Sequence, residues 1–256
     1  MNNNAITQNW AKFDPRDYLQ EYYADVGPEN FALLRFAVKA FHTIPSNGVL
    51  LDFGAGPTIY SLIAAASRVK EIHFCDYLDV NLDEVRQWLQ DEPSAFNWRE
   101  FVKATLELES TGHYDTQAIL QRETLIRKRV TQVFKCDANN FPPINEAQVY
   151  DTIITNSCAE AAADNWVQWR KCLHNIVSLL KPNGFLLLSA VKGTTCYSVG
   201  ERLFPVVSIR ETDLTQALTE EDFNAQSIVI ESIPADSSSR YYEGLIMVLA
   251  QKQGDK

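Results

Sequence analysis

The chain has 256 residues, 46% of them hydrophobic, with 23 Lys and Arg against 33 Asp and Glu for a formal net charge of −10; that is enough apolar material for one domain with a substantial core. The acidic balance argues against nucleic acid as a partner, because tracking phosphates takes clustered cations that displace counterions, and no run reaches the roughly 18 apolar residues of a membrane helix. Cys75, Cys136, Cys158, Cys172 and Cys196 are odd in number and widely spaced, and His42, His73, His113 and His174 stand alone, so reduced thiols in a cytoplasmic setting and no metal site are expected.

After the polar start "MNNNAITQNWAKF", which lacks the apolar centre of a secretion signal, Asp14 before Pro15 reads as a cap and a first-turn proline opening a helix over 15–24. Phe31, Leu34, Ala37, Val38 and Phe41 then recur at helical spacing until Pro45 and Gly48, so one face of this second helix is expected to pack on the body. Next come a short apolar run ("GVLLDFG"), a helical stretch ("TIYSLIAAASRV"), a second strand ("EIHFCDY") and an amphipathic helix stopped by Pro93. Alternating strands and helices specify a parallel sheet with right-handed crossovers.

Residues 110–133 are strongly charged and hold a solvated helix, "QAILQRETLIRKRV", whose RKR cluster is read as solvent-facing rather than phosphate-binding. A third strand ("TQVFKCD"), a fourth ("VYDTIITNS"), a long helix ending near Lys181, Pro182 and Gly184, and a fifth strand ("GFLLLSAVK") follow. "QSIVIESIP" and "EGLIMVLAQK", joined by "ADSSSRYY", read as an antiparallel hairpin. The sheet is therefore expected to be mixed, with one strand running against the rest. No repeat or linker marks a second domain.

Chemistry is expected at the carboxyl end of the first strand, where an α/β sheet binds an adenosine-containing ligand. Gly54 and Gly56 in "LLDFGAGPTIYSL" leave the main chain open to such a ligand, beside free N–H groups of the helix that follows. A dinucleotide fingerprint needs a third glycine three residues later, where Ile59 stands. The second strand ends in Asp76, 20 residues beyond Gly56, placed to accept hydrogen bonds from ribose hydroxyls of NAD or S-adenosylmethionine alike. The third ends in Asp137, placed to reach an adenine amino group, with Ala138 offering an N–H beside the ring. Either acid could instead cap the next helix. Two acids after successive parallel strands, a two-glycine turn and a terminal hairpin favour S-adenosylmethionine.

Taken together, "FDPRDYLQEYY", "LLDFGAGPTIYSL", "EIHFCDYLDVNLDEVRQWL", "EPSAFNW", "VFKCD", "LLKPNGFLLLSAVK" and "EGLIMVLAQK" closely resemble the nicotinamide, phenylethanolamine and thioether/indolethylamine methyltransferase family. The resemblance runs from about Phe13 to Lys252. It implies a single α/β domain over 1–256, a class I methyltransferase Rossmann-like fold whose mixed seven-stranded sheet ends in a C-terminal antiparallel hairpin. N-terminal lid helices (1–45) would cover the core (46–256). It implies S-adenosyl-L-methionine as donor and S-adenosyl-L-homocysteine as product, a small-molecule amine as partner, no membrane and a monomer. By the same resemblance Tyr18 and Tyr23 come from the lid, Gly54, Ala55, Gly56, Thr58 and Tyr60 surround the methionine portion, and Asp76, Tyr77 and Asn81 surround the ribose. Asp137 and Ala138 meet the adenine, and Asn156 lines the methionine end.

Methyl transfer needs nucleophile, carbon and sulfur in line, so holding the reactants together and excluding water supply most of the acceleration. An alkylamine must also lose its proton. Glu160 aligns with the family's acidic acceptor-side residue, so Tyr18 and Glu160 are the implied catalytic residues. Tyr18, Glu160, Ser189, Tyr241 and Tyr242 are the implied acceptor contacts. Ser189 stands where the family carries an acid, which points away from nicotinamide and catecholamines and toward a small cationic or guanidine-bearing amine. The alternatives are an S- or O-methyltransferase, or an NAD-dependent oxidoreductase using Asp76 on the ribose.

Overall fold

A computed structural model of the chain describes residues 10–109, 114–145, 148–237 and 241–254. The central parallel strands are β1 (Val49–Phe53), β2 (Glu71–Asp76), β3 (Val130–Lys135), β4 (Tyr150–Asn156) and β5 (Leu180–Lys192). A small hairpin, β6 (Cys196–Val199) with β7 (Arg202–Pro205), precedes the closing pair β8 (Val229–Pro234) and β9 (Gly244–Gln251). The main sheet has seven strands in the order β3-β2-β1-β4-β5-β9-β8. β9 alone runs against the others, from Phe185↔Gln251 to Lys192↔Gly244 beside β5 and from Val229↔Leu249 to Pro234↔Gly244 beside β8. The mixed sheet with an antiparallel end is the one expected.

Successive side chains leave a strand on opposite faces, and both faces are covered. Leu50, Ile154, Leu187 and Met247 join one core with α1 (Pro15–Tyr23), α2 (Gly27–Thr43), α3 (Tyr60–Ala65) and α5 (Arg99–Glu109). Their neighbours Leu51, Ile153, Leu186 and Val248 join the other with α7 (Trp166–Val177) and α8 (Glu211–Glu220). This two-sided burial is why the central strands read as near-continuous apolar runs. The first core also takes in α4 (Asp79–Leu89), which follows β2, through Leu82, Val85 and Trp88, and α6 (Thr116–Arg129), which precedes β3, through Ile126.

Asp14 caps α1 as expected, accepting hydrogen bonds from the N–H groups of Arg16 and Asp17 at 2.8 and 3.1 Å. The helix is strapped down on both sides: Arg16 reaches Glu84 of α4 through Nε at 2.7 Å and Nη2 at 2.7 Å, and the Tyr22 hydroxyl donates to the Ser198 carbonyl of β6 at 2.9 Å. The RKR cluster is less solvated than expected. Arg127 lies 4.3 Å over the Trp88 ring and pairs with Asp91 at 2.7 Å.

Several elements differ from the sequence reading. The helix expected through residue 180 ends at Val177, because Leu180 already pairs with Tyr150 before a register shift carries Thr152 to Phe185. The helix after the glycine turn shortens to α3, and α5, α8 and the β6–β7 hairpin are additional. Among the described residues no helix is long and apolar enough to cross a membrane.

Candidate active site

A cavity of about 270 Å³ opens at the carboxyl ends of β1, β2, β3 and β4, under α1 and the β6–β7 hairpin. Its floor is the turn after β1, where Gly54 and Gly56 have φ of 63° and 65°, a left-handed conformation that glycine adopts freely. The two glycines are needed for different reasons. A Cβ on Gly54 would lie 2.1 Å from Cys158 Sγ, whereas one on Gly56 would meet nothing within 4 Å because the cavity begins there. Ala55 and Thr58 complete the turn, with the Thr58 hydroxyl donating to the Ala55 carbonyl at 2.9 Å. Ile59, in the place of a dinucleotide glycine, is fully buried.

Asp76, 6% exposed, organises this end. Its Oδ2 accepts the Gly56 N–H at 2.8 Å, and its Oδ1 accepts the Leu78 N–H at 2.8 Å and the Asn81 Nδ2 at 2.9 Å. Burial pushes its carboxyl above the usual range, and these hydrogen bonds oppose that shift. Asn81 lines the cavity, and its buried Oδ1 has no hydrogen-bond partner. Such an acceptor, oriented by the neighbouring amide bond, fits a sugar hydroxyl. Tyr77 lies beside it, half exposed.

Asp137 is tied to its own turn, accepting the Asn139 N–H and the Asn140 Nδ2, each at 2.9 Å. Each oxygen keeps a second lone pair for a ligand. Ala138 lines the same wall with its carbonyl taken by Asn175 at 2.8 Å. Near the middle, the Ser189 hydroxyl donates to Asn156 Oδ1 at 2.8 Å, and both residues face the cavity.

Aromatic rings form the roof and far wall. Tyr23 stacks on Tyr60 with centroids 5.3 Å apart, and Tyr18 lies 5.6 Å from Tyr23. Burial first, then neighbouring phenols, holds all three hydroxyls well above their ordinary range, so they remain neutral donors. Trp10, Phe13, Tyr22 and Tyr197 extend this wall.

Two residues expected to contact the acceptor, Glu160 and Tyr241, are not in the cavity lining. Glu160 is 2% exposed and does not line the cavity; its carboxylate accepts the Val191 N–H at 3.2 Å and its carbonyl accepts the Val207 N–H at 3.0 Å. The turn after β4 folds it behind the wall, which Ala161 presents instead. Tyr241 is 54% exposed and points away, while the adjacent Tyr242 is buried in the lining. In their place stands a residue the sequence reading missed. Glu29, in the first turn of α2 and 6% exposed, lines the cavity and accepts the Tyr242 hydroxyl at 2.6 Å and the Asp236 N–H at 2.9 Å. A first-turn acid ordinarily faces solvent, and nothing local marks this one as buried.

Among the described residues no group of three or more His, Cys, Asp or Glu is placed to hold a metal ion. A glycine turn after β1, an acid closing β2 and a lone antiparallel strand near the sheet's edge define the class I methyltransferase fold. Solved structures agree on the fold: the 1,6-didemethyltoxoflavin-N1-methyltransferase of Burkholderia thailandensis superposes with a TM-score of 0.53 at 17% identity, covering 93% of this chain and 87% of that one. An S-adenosylmethionine-dependent methyltransferase of Clostridium acetobutylicum gives 0.54 at 12% identity, covering 93% and 99%.

The chain belongs to the NNMT/PNMT/TEMT family, whose model matches residues 3–253. It is 33% identical to the indolethylamine N-methyltransferase of Oryctolagus cuniculus, with 94% of each chain covered. It is 31% identical to the nicotinamide N-methyltransferase of Homo sapiens, again covering 94% of each, and 29% identical to the human phenylethanolamine N-methyltransferase, covering 98% of this chain and 92% of that one. The protein is thus an S-adenosylmethionine-dependent N-methyltransferase of this family.

Proposed function

We propose that the chain, acting as a monomer and a single domain in a reducing, cytoplasmic setting, methylates the nitrogen of a small amine whose chemistry is cationic or guanidine-bearing. The observation that carries this reading is the division of one cavity into a hydrogen-bonding end around Asp76 and Asn81 and an aromatic end under α1. The five cysteines are free.

S-adenosylmethionine supplies an electrophilic methyl group on a sulfonium. Asp76 and Asn81 would hold its sugar hydroxyls, Asp137 and Ala138 would flank its base, and Gly54, Ala55 and Gly56, with Asn156, would border its amino-acid portion. Tyr18, Tyr23 and Tyr60 exclude water and fix the acceptor's approach, which converts an encounter into a held geometry. Their neutral hydroxyls orient polar groups and take no proton. An ammonium entering this aromatic, low-dielectric wall finds its charged form disfavoured, so the reacting nitrogen gives its proton to solvent water as it enters and presents the lone pair.

Incubating the protein with a methyl-deuterated donor and a panel of alkyl, aryl and guanidine-bearing amines, thioethers and alcohols, read by mass spectrometry, tests the proposal. The labelled methyl is expected on nitrogen of at least one amine. Label found only on thioethers or hydroxyls would contradict it.

A further inference from the structure

The carboxylates among the described lining residues fall at two ends of the cavity. Asp76 and Asp137 follow β2 and β3. Glu29 is held at the other end, by Asp236 just after β8 and Tyr242 just before β9. With the sheet ordered β3-β2-β1-β4-β5-β9-β8, four strand spacings separate β2 from β9, on the order of 19 Å. Glu29 therefore lies toward the β9 side of the cavity, held against Tyr242.

Its carboxyl group is held in place by the surrounding fold. Its hydrogen bonds from the Asp236 N–H and the Tyr242 hydroxyl come from partners 207 and 213 residues away in sequence, so the carboxylate is pinned by the fold, not by its own helix. A carboxylate offers about four acceptor positions, and Glu29 with two of them taken lines the cavity. Placing a 6% exposed acid there carries a desolvation cost that a bound cation offsets.

We infer that Glu29 anchors the acceptor through a cationic nitrogen, with Tyr242 fixing the carboxylate's orientation. This rests on the reading of the cavity as a methyltransferase site. The anchored nitrogen is a protonated group remote from the reacting one, or the reacting ammonium itself before its proton leaves. An uncharged isostere of the acceptor loses that contact while keeping every aromatic one.

The test is calorimetry in saturating S-adenosylhomocysteine, using matched pairs: tryptamine and tryptophol, and 2-phenylethylamine and 2-phenylethanol. A separate titration of the same protein with S-adenosylhomocysteine alone reports on the methyltransferase reading, so its loss and the loss of amine preference are distinguishable. In the unaltered protein at least one ammonium is expected to bind about tenfold or more tightly than its alcohol. In Glu29→Gln, which keeps an acceptor for Tyr242, that preference is expected to collapse. In Tyr242→Phe it is expected to persist with weaker binding of both members. No preference for either ammonium in the unaltered protein, or a preference undiminished in Glu29→Gln, overturns the inference. The measurement on the unaltered protein stands even where a variant fails to fold.

Discussion

The main-chain N–H of Gly56 donates to the carboxylate of Asp76 across 20 residues of sequence, at 2.8 Å. The acid that would take the donor's sugar hydroxyls therefore also shapes the turn beneath the donor. Replacing it disturbs both. Asp76→Asn keeps the shape but loses the charge and one acceptor, and is expected to weaken S-adenosylhomocysteine binding by roughly 10- to 100-fold with a small change in melting temperature. Calorimetry and a thermal melt on the same sample check this.

The two glycines of that turn separate stability from binding. Gly54→Ala places a methyl against Cys158 Sγ, 2.1 Å from it, at a φ of 63°; a loss of about 3 kcal/mol or more, or failure to fold, is expected. Gly56→Ala meets no neighbour within 4 Å, so only the backbone strain of about 1–2 kcal/mol applies. Its methyl projects toward the ligand, so this variant is expected to fold and to bind S-adenosylhomocysteine at least tenfold more weakly. Denaturant titration and calorimetry distinguish the two.

Glu84 is buried, and Arg16 is its ion-pair partner. Burial raises the Glu84 carboxyl and Arg16 lowers it. Because the Arg16 side chain is 45% exposed, screening reduces the pair's worth, and Arg16→Ala is expected to cost about 1–2 kcal/mol. The local effect is larger, since α1 loses its strap to α4. Limited proteolysis between Phe13 and Gly27 should accelerate, and the acceptor KM should rise more than kcat falls.

Two buried carboxyls, Asp52 and Glu160, contribute to the pH dependence of stability. Asp52, held by the Ser61 hydroxyl at 2.5 Å, is pushed up by burial to about 7, and Glu160 likewise to about 7. Folding retains their protons where the unfolded chain releases them, so their contribution is full at about pH 4 and declines as pH rises through about 7. Asp52→Asn is expected to flatten the fall in melting temperature between about pH 5 and pH 8. Glu160→Gln should flatten it too while leaving kcat/KM within about threefold, because Glu160 lies behind the cavity wall.

The sheet and the grouping of Gly54, Gly56 and Asp76 at one end of the cavity were legible in the sequence because each rests on local pattern. "GVLLDFG" announces a strand buried on both faces, and an acid 20 residues after Gly56 marks the neighbouring strand. α5 was not read, although Phe101, Val102, Thr105 and Leu106 share a buried helical face, because the acids among them give the segment the look of the charged run that follows. The four-residue strands of the β6–β7 hairpin are too short to show alternation. The acceptor end was least legible. Glu29 acquires its place only from Tyr242 and Asp236, residues on the far side of the chain, and a one-residue turn decides that Tyr242 and not Tyr241 enters the lining. Glu160 resembled an acceptor acid in sequence, but its direction is set by the Val191 N–H on the neighbouring strand.

The central claim is that the crevice over β1 and β2 takes an S-adenosyl donor rather than a nicotinamide dinucleotide. Titrating the unaltered protein with S-adenosylhomocysteine and, separately, with NADH tests it most directly. Saturable binding of one S-adenosylhomocysteine per chain, absent with NADH, is the expected result; saturable binding of NADH with no heat from S-adenosylhomocysteine would contradict the account.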